Sequence, residues 1–330
     1  MALPYLSDEV FVSIASSLDI PALGALGCTA QRFTTRTIAD PTHSDHGEGG
    51  GGAAAAAEVW SVVDEGARRQ YVAFEPWQRG MAPRLRGESW LRALHELRKL
   101  VRPHRFTISR ATSGQRRPEL VENGTVAQVP EGGWRWAMAV CGEAIMRRGV
   151  HYTEFVIQTR VETMVGLADA SFPGGEAEWG AEGHPAGASW QQSAGFMCST
   201  AGYRDGDMFF AGAKRAHEGD VIGLRLDFDA GTVAAYKNGK RMGLLAQPGM
   251  VHRGRDGLPS FNRPPLRAVG NSRELRWCVD LTAGSVRIDG PKPPPAITAA
   301  DLAEDARKQQ KFLGGGYSDG NFSSDDDGDD

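Results

Sequence analysis

Cysteine is scarce in this chain and unpaired in sequence: Cys28, Cys141, Cys198 and Cys278 lie far apart among 330 residues, with no Cys-x-x-Cys pair. Scattered thiols of this kind in a non-secreted chain read as reduced, small apolar fillers rather than bridges or zinc ligands. His43 and His46 have zinc-like spacing, but no cysteine stands near them, so a solvated loop is the plainer reading. No apolar run approaches the roughly 18 to 20 residues that a membrane span needs. The N-terminus carries Asp8 and Glu9 and lacks a basic region followed by an apolar core, so no signal peptide is expected and the chain is placed inside the cell, in cytoplasm or nucleus. A net charge of −4 gives no whole-protein case for nucleic acid or membrane as a partner. Catalytic motifs are missing as well. The glycines at 49–52 run into alanines rather than Lys-Ser/Thr, which excludes a phosphate loop, and there is neither a nucleophile elbow nor a paired metal-ligand motif. A non-enzyme without cofactors is expected.

What the chain has is most legible in residues 219–243. Val221, Gly223, Arg225, Asp227 and Asp229 alternate with Ile222, Leu224, Leu226 and Phe228, the period of a strand with one buried face. On that reading Asp227 and Asp229 are solvated charges. Ala230-Gly231 supplies a turn, residues 232–236 are rich in β-branched and aromatic types, and Asn238-Gly239 signals a tight hairpin because both positions tolerate positive φ. Two consecutive hairpins imply an antiparallel meander.

These residues resemble the SPRY family. The run Gly219-Asp220-Val221-Ile222-Gly223, then Leu226-Asp227 and Tyr236-Lys237-Asn238-Gly239, looks like its signature, and further pieces follow the family's order: residues 151–155 entering a strand, 165–168 ending the next, Ser189-Trp190 with Gly195-Phe196 beginning another. The resemblance implies a mainly β fold, a SPRY-type antiparallel β-sandwich over residues 104–290 that binds a protein or peptide. The residues themselves add strand candidates at 106–129, with Asn123-Gly124 as a turn pair, at 134–140 and 154–159, and closing strands at 274–281 and 285–288 separated by Thr282-Ala283-Gly284. Tyr152 and Trp190 read as core or edge packing.

Residues 6–18 place Val10, Phe11, Ile14 and Leu18 on one helical face, with Asp8 and Glu9 suited to the N-terminal dipole. Asp19-Ile20-Pro21 breaks that helix, Leu23 and Leu26 continue an apolar face, and a third helical segment covers about 30–38. Three short helices in about 40 residues make only a marginal core, so this unit should lean on a partner. It resembles an F-box. Counting from Leu6, the family's later positions fall on Ile14, Leu18 and Asp19, with Ser7 where the family has proline; counting from Leu3-Pro4 fits less well. The resemblance implies that Leu6, Val10, Phe11, Ile14, Leu18, Leu23 and Leu26 meet a Skp-family adaptor of a cullin-based ubiquitin ligase. The alternative is a helical cap on the sandwich. A RING-type catalytic ligase is excluded, since it needs a Cys and His cluster around two zinc ions.

The F-box-like unit, an all-α segment of residues 1–73, is interrupted at 40–57 by a Gly- and Ala-rich insertion that reads as flexible linker. An Arg-rich linker helix occupies 74–103, with Leu91, Leu94, Leu97, Leu100 and Val101 on an apolar face expected to dock on a neighbouring domain. A basic helix could instead contact RNA phosphates, although no nucleic-acid motif accompanies it. Residues 291–330 read as a Pro-rich linker, a short helix with Asp301 near its start, and an acidic disordered tail.

The binding surface, as the resemblance implies, is made by loops at one side of the sandwich. The positions available are Trp134 and Arg135, Arg147 and Arg148, Phe172, Trp179 and His184 in a long Gly- and Pro-containing stretch, and Tyr203 and Arg204. Trp179 stands out because no strand pattern explains it; the alternative is that it folds back over the sandwich edge. The function expected is therefore a substrate-recognition subunit of a ubiquitin ligase, with a SPRY scaffold lacking any ubiquitin link, or an RNA-associated protein, as alternatives.

Overall fold

A computed structural model describes residues 17, 19, 21–22, 62–111, 117–129, 137–159, 163–169, 194–197, 203–204, 216–247, 274–281 and 283–314. Contacts divide the chain after Val101 into two units, each with its own core.

In the first unit, α1 (Val62–Val72), α2 (Pro76–Arg79) and α3 (Trp90–Leu100) follow from local chemistry. Pro76 opens α2, where its missing N–H costs nothing, and Ser89 caps α3 by accepting the Arg92 amide at 3.2 Å. The apolar stripe of α3 buries Ala93, Leu94, Leu97 and Leu100. It packs on α1, where Val63, Ala67 and Tyr71 are buried. Tyr71 meets Trp90 edge to face at 5.5 Å and donates its hydroxyl to the Ala82 carbonyl at 2.8 Å. The short connection through α2 lets two amphipathic helices fold back on each other.

The second unit is mainly β. Its strands are β1 (Ile108–Ala111), β2 (Glu119–Val121), β3 (Val126–Val129), β4 (Ala137–Val140), β5 (Val150–Ile157), β6 (Thr163–Asp169), β7 (Ala194–Met197), β8 (Tyr203–Arg204), β9 (Val221–Asp227), β10 (Thr232–Lys237), β11 (Lys240–Ala246), β12 (Leu275–Leu281) and β13 (Gly284–Asp289). They form a six-stranded sheet in the order β1-β4-β12-β6-β7-β8 and a seven-stranded sheet in the order β11-β10-β9-β5-β13-β3-β2, with every pairing antiparallel. The inner faces meet where Phe155 of β5 stands edge to face with Trp277 of β12, centroids 6.3 Å apart and both rings fully buried.

The 219–243 pattern folds as its period demands. Ile222, Leu224, Leu226 and Phe228 are buried, and the hairpin between β10 and β11 turns on Asn238 (φ 50°) and Gly239 (φ 75°). Asn238 also ties the two hairpins together: its Oδ1 accepts the Val221 amide at 2.8 Å and its Nδ2 donates to Asp220 at 2.7 Å. Asp227 is half-buried rather than solvated. It pairs with Arg225 at 3.1 Å and its other oxygen accepts the Ala230 amide at 2.9 Å, closing the next turn.

Two expectations about loops and linkers meet a different structure. Tyr203 and Arg204, expected in a loop, form the edge strand β8, because the β7 backbone offers Gly195 and Ala194 as register partners. Residues 291–298 do not simply leave the sandwich. The Lys292 amide donates to the Tyr152 carbonyl at 3.2 Å, and α4 (Ala299–Gly314) is held on the seven-stranded sheet by Arg241–Asp305 at 2.5 Å and by Lys308 donating to the Met242 carbonyl at 3.0 Å. No helix among the described residues is long and apolar enough to cross a membrane.

Candidate functional site

The seven-stranded sheet's outer face is closed by the chain itself. Tyr152 and Tyr236 pack edge to face at 5.8 Å, and Gly223 lies beneath the Tyr152 ring, where a Cβ would stand 2.2 Å from the phenol oxygen. The Tyr152 hydroxyl donates to Glu154 at 3.0 Å; burial first, and the Glu154 charge second, push that phenol far up. Lys292 reaches both Glu154 and Asp289, and Arg241 bonds the Tyr236 hydroxyl at 3.0 Å while pairing with Asp305. Each carboxylate here has a cation.

The six-stranded sheet's outer face is built differently. Along β12 the residues alternate: Trp277, Val279 and Leu281 point into the sandwich, which puts Arg276, Cys278 and Asp280 on the opposite side. Register brings Met138 of β4 and Met164 of β6 directly beside Asp280, and Val140 and Gly166 beside Cys278. Met138, Val140, Ala168 and Cys278 form one apolar cluster against which Ile108 packs. In the middle of it Asp280 is 1% exposed, and neither carboxylate oxygen has a hydrogen-bond partner. Burial holds its pKa well above the usual carboxylate range, offset only in part by the neighbouring Leu281 backbone amide. The Cys278 thiol is pushed up by burial and then by Asp280, and Cys278 and Cys141 are free and buried, as expected of apolar fillers.

The same register row continues past Cys278 through Gly166 and Gly195 to the position of Tyr203. Two glycines in succession put no side chain on the sheet there.

Of the residues singled out from sequence, Arg147 and Arg148 lie at the approach to this sheet. Arg147 pairs with Glu274, the residue before β12, at 2.7 Å, both about half exposed. The Arg148 carbonyl accepts Nε2–H of His151 at 2.7 Å; burial lowers the His151 pKa to about 4, so this ring is neutral. Tyr203 and Arg204 sit on the sheet's far edge strand. Trp134, Arg135, Phe172, Trp179 and His184 lie outside the described residues, as do Leu6, Val10, Phe11, Ile14, Leu18, Leu23 and Leu26. Asp19 is described: its Oδ1 accepts the Ala22 amide at 2.9 Å, capping the helical turn at Pro21 and Ala22.

Period two in 275–281 sets Arg276 and Asp280 on the face opposite Trp277, while their neighbours Met138 and Met164 are brought there only by strand pairing. Five arginines of the Arg-rich segment bond within the first unit. Arg68 and Arg69 bond Glu65, Arg79 bonds the Val72 carbonyl, Arg84 lies 4.5 Å over the Trp90 ring, and Arg98 bonds Gln70.

No protein-family model matches the chain, and no curated protein matches it. Among solved structures the chain is similar to the SPRY domain of human HERC1, at 18% identity over 52% of this chain and 91% of that one, with a TM-score of 0.35. It is also similar to the TRIM65 PSpry domain, at 14% identity over 59% of this chain and 92% of that one, with a TM-score of 0.36.

Proposed function

We propose that this chain is a non-catalytic recognition protein: its β-sandwich is a SPRY-type module that captures a protein target through loops at one side of the sandwich, and its N-terminal unit is an F-box that carries the target to a cullin-based ubiquitin ligase through a Skp-family adaptor. The observation that supports the recognition half is the two-sheet antiparallel sandwich in which residues 219–243 form the hairpins that the resemblance implies, a rigid scaffold that can hold binding loops. The ligase half rests on the spacing of Leu6, Ile14, Leu18 and Asp19 and is supported by Asp19 accepting the Ala22 amide. Catalysis would belong to the enzyme recruited elsewhere in the complex, and this protein would contribute proximity.

Affinity capture from cells with the full chain tests both halves at once. Co-purification of the adaptor should be lost in Ile14→Asp with Leu18→Asp, while the target should be lost in Trp179→Ala and kept in Lys292→Met. Adaptor binding that survives the first pair leaves a SPRY scaffold without a ligase link. A target retained equally by Trp179→Ala and wild type removes Trp179 as the anchor.

A further inference from the structure

Asn-Gly occurs twice in the chain, at Asn123-Gly124 and at Asn238-Gly239, and every residue of the two pairs has positive φ: 58° and 82° in the first, 50° and 75° in the second. Both asparagines are exposed. Their side chains differ. The Asn238 carboxamide is held at both ends, Oδ1 accepting the Val221 amide at 2.8 Å and Nδ2 donating to Asp220 at 2.7 Å. The Asn123 carboxamide has no hydrogen-bond partner among the described residues. The Asn123 turn also carries structure. The Gly124 carbonyl accepts the Phe106 amide at 2.7 Å, a Cβ on Gly124 would stand 2.6 Å from the Phe106 carbonyl oxygen, and Phe106 is buried just before β1. Thr125 closes the turn, its amide and hydroxyl both donating to the Glu122 carbonyl at 3.2 and 2.9 Å, and its own carbonyl accepts the Ile288 amide of β13 at 2.8 Å.

We propose that Asn123 is a site of spontaneous deamidation and isoaspartate formation, a modification that Asn238 resists, and that the isoaspartyl product loosens the entry to β1. The Gly124 amide nitrogen gives its proton to base and attacks the Asn123 side-chain carbonyl carbon. A ring C–N bond forms, the bond to the side-chain amide nitrogen breaks, and ammonia leaves. Water then opens the succinimide at either carbonyl, giving aspartate or isoaspartate, with no change of oxidation state. Glycine on the C-terminal side favours the attack because no Cβ shields the nitrogen. A free carboxamide can turn to meet it, whereas that of Asn238 must first break two hydrogen bonds. The isoaspartyl form routes the main chain through the former side chain and so adds a methylene between residues 123 and 124. That insertion draws the Gly124 carbonyl away from the Phe106 amide, in a turn already too close to Phe106 to admit a Cβ.

The test ages the full folded chain in mildly alkaline buffer and follows the two Asn-Gly peptides by mass spectrometry, with isoaspartate counted by enzymatic methyl transfer from S-adenosylmethionine. The Asn123 peptide should gain the mass of amide-to-acid conversion, and Asn238 should convert at least about tenfold more slowly, the factor set by two net hydrogen bonds. In denaturant the two should convert at similar rates, since glycine follows both. Hydrogen exchange at the Phe106 amide should quicken in step with isoaspartate content. It should stay slow on ageing in Asn123→Gly, which keeps the positive φ and has no carboxamide; the wild-type readouts decide the matter without the variant. Asn238 converting as fast as Asn123 in the folded chain, or Asn123 staying intact while the denatured chain reacts, overturns the site. Isoaspartate at 123 with unchanged exchange at Phe106 overturns its effect on β1.

Discussion

The two outer sheet faces pose the same physical problem and answer it in opposite ways. On the seven-stranded side, Tyr152, Tyr236, Glu154, Arg241 and Asp289 lie under residues 291–314, and the covering segment brings Lys292 and Asp305 to complete their pairs. The polar atoms left over there are guanidinium nitrogens of Arg225 and Arg241, whose charges already face Asp227 and Asp305. On the six-stranded side the described groups are thioether, thiol and aliphatic, all buried, and the carboxyl of Asp280 among them has no cation. One face sets each carboxylate against a cation; the other buries a carboxyl among methionines, at a cost in stability.

The sharpest way to break this comparison is to remove the clamp of the finished face. Arg241→Ala leaves Asp305 buried without its cation and should cost about 3 kcal/mol, the low end for stranding one member of a buried pair. Denaturant unfolding measures the loss, and faster hydrogen exchange across Ala299–Gly314 locates it. Arg241→Met combined with Asp305→Leu should recover most of that stability, because the stranded charge is gone. A loss for the single variant no larger than that of an exposed ion pair, under about 1 kcal/mol, would mean that α4 is held by other contacts.

Acid should come next in size. Burial, and then the proximity of His151, lowers the pKa of His104 to about 3, while burial lowers that of His151 to about 4. His104 donates from Nδ1 to Thr153 Oγ1 at 3.1 Å, and Thr153 donates onward to the Asp289 carbonyl at 3.3 Å. Both folded values lie below the unfolded value of about 6.5. Their contribution is therefore complete above about pH 6.5 and drains away as pH falls towards 4 and then 3. At pH 5 each ring should cost about 2 kcal/mol relative to pH 7. His104→Asn should flatten part of this acid limb in a stability-against-pH profile, and an unchanged limb would assign acid sensitivity elsewhere.

Asp280 should run in the other direction. Its folded pKa is raised, so the stability it contributes is full below the unfolded carboxylate value and is lost as pH rises through the folded one. Asp280→Leu, which replaces an unmatched acid by an aliphatic group between two methionines, should therefore stabilise the protein at pH 7 by about 1–2 kcal/mol, within the cost of an unsatisfied buried polar group. The gain should grow with pH. A destabilised Asp280→Leu would show that the carboxyl has a structural partner, and the contrast between the faces would collapse.

How much of this was legible in the sequence depends on which residues explain themselves locally. The 219–243 hairpins did, because alternation and Asn238-Gly239 encode face and turn with no need of distant partners, and the bond from Asn238 to Asp220 shows why those two parts of the pattern occur together. Trp277 and its strand were visible as a strand, yet its outward residues acquire meaning only when Met138 and Met164 are set beside Asp280 by pairings of long sequence separation. The fate of α3 was hidden for a similar reason: an amphipathic stripe states that a helix is covered, not by what. Residues 291–298 looked like a terminator because prolines cannot join a ladder, whereas here the segment lies over a sheet face and needs only the Lys292 amide to bond.

The smallest expected effect probes how evenly the finished face is built. Lys292 bridges Glu154 at 2.5 Å and Asp289 at 2.7 Å, but it is about one-third exposed and Asp289 more than half exposed, so solvent screens much of the attraction. Burial opposes the lysine's charge, and the hydrogen bonds from Asp289 and Glu154 outweigh it, raising the lysine pKa. Lys292→Met keeps the stem that lies along the sheet and removes only the charge, so it should cost under about 1 kcal/mol. It should also make stability less sensitive to salt. Measured in low and high salt beside Arg241→Ala, it separates the two roles of residues 291–314: if Lys292→Met costs as much as Arg241→Ala, the segment is fastened mainly at its exposed start, and if it costs little, the fastening lies under α4 where Arg241 meets Asp305 out of reach of solvent ions.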